Sequence, residues 1–222
     1  MEAFIEVKAT RKSISSRRVV QGVGINDAPY MVKQPNSKVK VCPYYRVWHN
    51  MITRCYSTAY QKQQPTYKGC SVVKDWLIFS NFRRWMEGEY WCDKQLDKDL
   101  LIEGNKVYSP VSCIFVSMEL NVLLADNSKR RGNYPQGVSF DTARALFLSR
   151  CKVKGKGKNL GRFDCVNRAE LSYVTFKANH VEEAAYSEEA LADSRLTPAL
   201  LRHAAKFTER AEELTKLINK TT

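Results

Sequence analysis

LDKDLLIEGNKVYSPVSCIFVSMELN, from Leu96 to Asn121, carries oxygen donors that suit metal-assisted phosphodiester hydrolysis. On a single ion that reaction needs four things: an anionic ligand for Mg2+, a second oxygen to fix the ion, a base for water, and positive charge for the transition state. Asp97 offers the anion. Asn121 offers the second oxygen if the helix that bears it packs across the preceding strands. The base is the difficulty, because Lys98 directly follows Asp97. An unperturbed lysine would have to titrate roughly three pH units lower to act as a base near neutrality. Asp97 and Asp99, on either side, favour the charged ammonium instead. Lys98 is therefore assigned to the scissile phosphate or to transition-state charge, with Asp99, or a hydroxide on the ion, as the base. The expected cofactor is one Mg2+ or Mn2+, and no small-molecule cofactor is implied. The alternative is a catalytically inactive, sequence-specific nucleic-acid-binding protein with a regulatory role, in which this stretch is a polar, turn-rich hairpin and no bond is broken.

The surrounding pattern supplies elements to hold these residues. Pro43 can open a helix at its first position. Tyr44, Trp48, Met51, Ile52 and Cys55 then recur at the spacing of one buried helical face. His49 falls on the exposed side of that helix and is not expected to serve as a replacement base. Asp75 is placed to cap a second helix bearing Trp76, Phe79, Phe82 and Met86. Strands are expected over 95–100 and 111–116, separated by the turn-rich EGNKVYSP, after which Ser117 caps a helix carrying Asn121.

The combined pattern is W-x-x-M-x-x-R-C-Y (Trp48 to Tyr56), Y-x-G-C-x-V-x-x-x-W-x-x-F-x-x-F (Tyr67 to Phe82), then L-D-K-D, G-N, Y-S-P and C-x-F-V. It resembles the phage-encoded His-Asn-His (His-Me finger) proteins of the homing-endonuclease type. That resemblance implies a ββα metal-binding module acting as a Mg2+-dependent endonuclease or nickase, with the ion on Asp97 and Asn121. It also implies the cytoplasm of an infected bacterial host. The family places its catalytic histidine where Lys98 stands, and its middle asparagine corresponds best to Ser112.

Charge distribution points to the partner. From Ser128 to Arg162 there are ten Lys or Arg and a single acid, Asp141. A merely solvated face normally mixes both signs. GVSFDTARALFLSRCKVKGKGKNLGRFD reads as three short strands with turns between them, followed by a helix capped by Asp164 with Ala169, Tyr173 and Phe176 on its buried side. Strand alternation puts Arg150, Lys152 and Lys154 on one face, and Lys158 and Arg162 together on one side of the next strand. Gly137 to Asp141, Phe147, K-x-K-x-L-G-x-F-D (Lys156 to Asp164), Ala169 and Tyr173 resemble the Apetala-type (ethylene-response-factor) DNA-binding domain. The resemblance implies a sheet that enters the major groove of double-stranded DNA, with Arg144, Arg150, Lys152, Lys158 and Arg162 on bases or phosphates. Lys154 is expected to add phosphate charge. No exposed aromatic residue is expected between the basic residues of the sheet, which argues against stacking on single strands.

The fold class is therefore α+β. It comprises a basic arm (1–42), a ββα module with aromatic helices (43–127), a linker (128–136), a three-stranded sheet on a helix (137–187) and a helical extension (188–222). The last helix either docks on the preceding module or pairs with a second copy in a homo-oligomer. The chain has 36 Lys plus Arg against 23 Asp plus Glu, an excess that attracts polyanions. The seven scattered cysteines form no C-x-x-C pair and only three histidines are present, so no zinc site is expected and the thiols suit a reducing compartment. No stretch has the length and apolarity of a membrane span, and no membrane partner is expected.

Overall fold

A computed structural model describes residues 4–34, 38–125 and 133–221. Residues 128–132 of the expected linker, with Lys129, Arg130 and Arg131, lie outside the described residues. The chain is α+β and divides into two compact units, one ending at Phe115 and the other beginning at Val116. The division falls ahead of the expected linker and puts the helix bearing Asn121 in the second unit.

The first unit starts with α1 (Arg11–Ser15) and a run of turns, followed by α2 (Pro43–Tyr56) and α3 (Thr58–Gln63). β1 (Ser71–Val72) comes next, then α4 (Phe79–Glu87), β2 (Lys94–Asp97), β3 (Val107–Tyr108) and the first half of β4 (Ile114–Ser117). α2 spans the expected helix and buries Trp48, Met51, Ile52 and Cys55, together with Tyr45. Trp48 is fully buried, and its indole N–H donates to the Trp76 carbonyl at 2.7 Å. A buried Trp needs such a partner, because its N–H would otherwise be desolvated with nothing in return.

The segment before residue 42 is not a free arm. Ala28, Tyr30, Val32 and Cys42 are part of the first unit's core. The Arg17 guanidinium donates to the carbonyls of Asn26, Ala28 and Tyr30 at 3.0, 2.7 and 2.9 Å, holding the irregular backbone in place. Its polar composition hid this, because one arginine satisfies carbonyls that a regular element would have paired internally. The second helix also begins differently from expectation. Asp75 lies in a 3-10 turn (Lys74–Leu77), and α4 starts at Phe79 without a local side-chain cap. Asp27, distant in sequence, takes its place by accepting the Ser80 backbone N–H at 2.9 Å and the Ser80 hydroxyl at 2.5 Å. A carboxylate there meets the orphan donors and the positive end of the helix dipole.

β1 pairs in parallel with β3, a short strand inside the expected loop, and β2 pairs with β4, along which the chain leaves the first unit.

In the second unit, α5 (Met118–Leu124) starts as expected, with the Ser117 hydroxyl accepting the Leu120 N–H at 3.1 Å. β5 (Val138–Asp141), β6 (Leu146–Val153) and β7 (Lys156–Phe163) form an antiparallel sheet in the order β5-β6-β7. α6 (Val166–Ala185), α7 (Glu188–Ala192) and α8 (Leu196–Thr221) follow. Asp164 does not cap α6: the N-cap is Cys165, and Asp164 instead accepts from Arg168 at 3.1 Å. α8 docks on α6. Leu214, Phe207 and Ala211 pack with Tyr173 and Val174, and Arg210 makes two hydrogen bonds to Glu170, at 2.8 and 3.1 Å. The buried Lys177 amine on α6 donates to the Leu123 carbonyl at the end of α5, where a cation also complements the helix dipole.

Gly137 enters β5 at φ +77°, and a Cβ there would stand 2.0 Å from the Tyr173 ring on α6. Gly137→Ala is expected to destabilise the second unit by about 1–3 kcal/mol through overpacking, with left-handed backbone strain added. The check is a denaturant melt of the full chain, and an unchanged transition would contradict the close approach.

Candidate functional site

Two regions hold the residues singled out from the sequence, and each lies within one unit except for the pair Asp97 and Asn121. Asp97 ends β2, and its Oδ1 accepts the backbone N–H groups of Asp99 and Leu100 at 2.9 and 2.8 Å. The carboxylate thereby shapes the turn that carries Lys98. Burial, followed by the neighbouring Asp99, pushes the Asp97 carboxyl above the usual range, while the two N–H groups pull it back.

Lys98 is buried, with 7% of its surface exposed, and its ammonium lies 2.8 Å from Asp99 Oδ2. Burial alone would lower its proton affinity, but the hydrogen bond and charge of Asp99 outweigh burial, so the amine titrates above its ordinary value. Its environment includes Cys70 and Asp97. Such a group is a held cation, and it cannot accept a proton from water near neutral pH.

The loop behind this turn is tied by Asn105, whose amide donates to the carbonyls of Lys98 and Val107 at 2.6 and 2.7 Å. Ser112, at the family's middle asparagine position, is buried and structural. Its hydroxyl donates to the Val107 carbonyl at 2.8 Å and lies 2.7 Å from the Ser109 hydroxyl. Asn121 stands on α5 in the second unit, three residues beyond the start of that helix. Among the described residues, no group of three or more His, Cys, Asp and Glu is gathered to hold a metal ion. A carboxylate and an amide oxygen are each hard donors of the kind Mg2+ and Mn2+ take, but Asp97 and Asn121 belong to different units. His49 is half-buried beside Tyr45, with ring centroids 5.7 Å apart, and burial lowers its proton affinity. It is not on the exposed side expected of it.

In the second unit, directly paired residues of neighbouring strands project to the same side of the sheet. Cys151 packs against Tyr173 and Val174, which marks the side facing α6. Arg150 pairs with Asn159, Lys152 with Gly157 and Leu148 with Arg162, so all six belong to the opposite, open face, on which Arg150, Lys152, Asn159 and Arg162 are exposed and Leu148 is buried. Lys158 pairs with Cys151 and therefore lies on the helix side, where its ammonium sits 4.5 Å from the centre of the Phe176 ring. This corrects the placement of Lys158 beside Arg162. A register shift opposite Ser149 and Arg150 inserts Leu160 as an extra residue in β7. An inserted residue inverts the alternation that follows it. Lys158 and Arg162 share sequence parity but not a face. Lys154 and Gly155 form the tight turn between β6 and β7 with φ of +48° and +76°, so Lys154 belongs to the hairpin tip and not to the strand alternation.

If the sheet binds duplex DNA, Lys158→Ala should leave the ranking of duplex sequences unchanged and reduce affinity less than Arg150→Ala does. Side-by-side titrations of both variants against the same set of duplexes check this. A larger loss of discrimination for Lys158→Ala would put it back beside Arg162.

Two members of the open face had no role in the sequence reading. Asn159 enters through its pairing with Arg150. Asp141 enters through its carboxylate, which accepts from Arg144 at 3.2 Å and from Arg162 at 3.3 Å. Sequence alternation could have found neither: the shift at Leu160 that sets the partner of Arg150 leaves no signal in it, and the Asp141–Arg162 contact joins residues distant in sequence.

No protein-family model matches this chain, and comparison with curated proteins and with solved structures returns no match. Among the described residues, no helix is long and apolar enough to cross a membrane.

Proposed function

We propose that this chain binds duplex DNA, using the open face of the β5-β6-β7 sheet in the major groove. The observation that carries the reading is the gathering of Arg150, Lys152 and Arg162 on the face turned away from α6, despite a register shift between them. The major groove, about 12 Å wide, admits a narrow β ribbon, and cations on its exposed side meet phosphates and base edges together. Arg150 and Arg162 are assigned to bases, Lys152 and Lys154 to phosphates, since the planar guanidinium can bind a base edge through two hydrogen bonds and the ammonium acts as a point charge. Arg144 is assigned to a phosphate at the rim. Binding to random and selected duplexes over a range of salt tests this reading.

A second reading, a Mg2+-dependent endonuclease or nickase, is favoured by one further observation. Asp97 closes a strand that pairs with β4, and β4 runs into a Ser117-capped helix with Asn121 on it, the order of parts in the resembling nucleases. Asp97 would hold the ion, which when bound supplies Lewis acidity and a more acidic water. The protein's own part would be positional: Lys98 keeps its charge through Asp99, and Asp97 fixes the turn through the N–H groups of Asp99 and Leu100. The cation at Lys98 supplies transition-state charge but no base, and this ranks catalysis second to binding.

A further inference from the structure

Resting on the DNA-binding reading above, we infer that Asp141 is a positioning residue that makes Arg162 a reader of guanine. Asp141 ends β5, and 15% of its side chain is exposed. Its Oδ2 receives Nε of Arg162 at 3.3 Å and Nη1 of Arg144 at 3.2 Å. The backbone supports the same corner, with the Arg144 N–H donating to the Asp141 carbonyl at 3.2 Å. Arg162 lies across from Leu148 of the central strand, so its guanidinium is tethered at one edge over the open face.

The tether acts at Nε, which leaves the two Nη groups at the tip to present paired donors. Guanine offers two acceptors, N7 and O6, on its major-groove edge at a spacing that such a fork matches. A free arginine would lose rotamer freedom on docking, and one already held by a carboxylate loses less. The alternative role for Asp141, plain neutralisation, makes a different statement. An acid on a face that meets phosphates costs affinity for every sequence alike, so neutralisation shows only in grip, whereas positioning shows in discrimination. Asp141 is also the single acid among the ten basic residues from Ser128 to Arg162.

The experiment uses the full chain and a pool of duplexes with a random core, from which bound sequences are enriched. The enriched duplex is then remade with 7-deazaguanine at each guanine in turn, which removes N7 and keeps base pairing. Wild type is expected to lose about tenfold or more in affinity at one guanine, the scale of a bidentate base contact. Asp141→Ala should bind the random pool at least as tightly as wild type, while the loss at that guanine shrinks to a small factor. Asp141→Asn keeps an acceptor for Nε and should retain part of the loss. Arg162→Lys keeps the charge without the fork and should behave like Asp141→Ala, a check that does not depend on how Asp141→Ala folds. The inference is overturned if no guanine N7 matters, if Asp141→Ala keeps the full loss, or if Arg162→Lys does. A protein that binds no duplex at all instead overturns the DNA-binding reading itself, so the two failures are distinct.

Discussion

Replacing Arg150, Lys152 and Arg162 together by alanine is expected to weaken duplex binding by at least about 100-fold at physiological salt, with the second unit still folded. Two arginines on bases contribute about 1–3 kcal/mol each, and removal of the lysine adds to that loss. Salt supplies a more specific signature. Each phosphate neutralised releases condensed counterions, so the slope of log affinity against log salt should become shallower by about 0.9 for each cation that met a phosphate. All three residues lie on the face opposite Cys151, away from the packing against Tyr173 and Val174, which is why stability should hold. Fluorescence anisotropy over a salt series, with a melt of each protein alongside, makes the measurement. An affinity and slope equal to wild type in a folded triple variant would mean that DNA, if bound, is bound elsewhere.

Lys98→His is expected to raise Mg2+-dependent nicking of supercoiled plasmid by about 10²–10⁴-fold over wild type if Asp97 holds an ion, the gain a positioned base supplies. The reason is the state of Lys98: its ammonium, 2.8 Å from Asp99 Oδ2, is held charged and has no free pair for a proton. Asp97→Ala in the Lys98→His background should return cleavage to the level without metal while DNA affinity stays on the second unit's sheet. Single-turnover nicking with Mg2+, with Mn2+ and with chelator separates the outcomes. Cleavage that survives Asp97→Ala would remove Asp97 from the ion site. Inactivity of wild type and Lys98→His, with tight DNA binding in both, would leave binding as the chain's function and the strand-loop-strand frame as a scaffold.

Where side-chain chemistry acts locally, the sequence was a good guide. Trp48, Met51, Ile52 and Cys55 recur at helical spacing and are buried on α2, because a helix that must cover a core shows its period wherever it packs. Ser117 caps α5, because the cap needs only a hydroxyl three residues from the N–H it accepts. The three strands followed by a helix in the second unit were legible from alternation and turn residues in the same way. So was the excess of positive charge, which is a matter of composition.

Contacts between distant residues were not legible. Asp75 has the chemistry of a cap, yet Asp27 reaches Ser80 from the segment before α2 and closes that helix end. The same segment is polar enough to read as an arm, but Arg17 satisfies its carbonyls and Tyr30 enters the core. Lys98 shows the point at the candidate site. Its neighbours in sequence predicted a charged ammonium, and only packing decided that it is buried against Asp99. Sequence alone therefore determined the α+β composition, the main buried faces and the basic character of the second unit, since each depends on residue type at short spacing. The tertiary structure decided which cations share a face. One inserted residue at Leu160 inverts the alternation of β7, turning Lys158 toward Phe176 and keeping Arg162 with Arg150 and Lys152. A parity argument assumes an unbroken ladder, and only the pairing partner on β6 reveals where the ladder shifts.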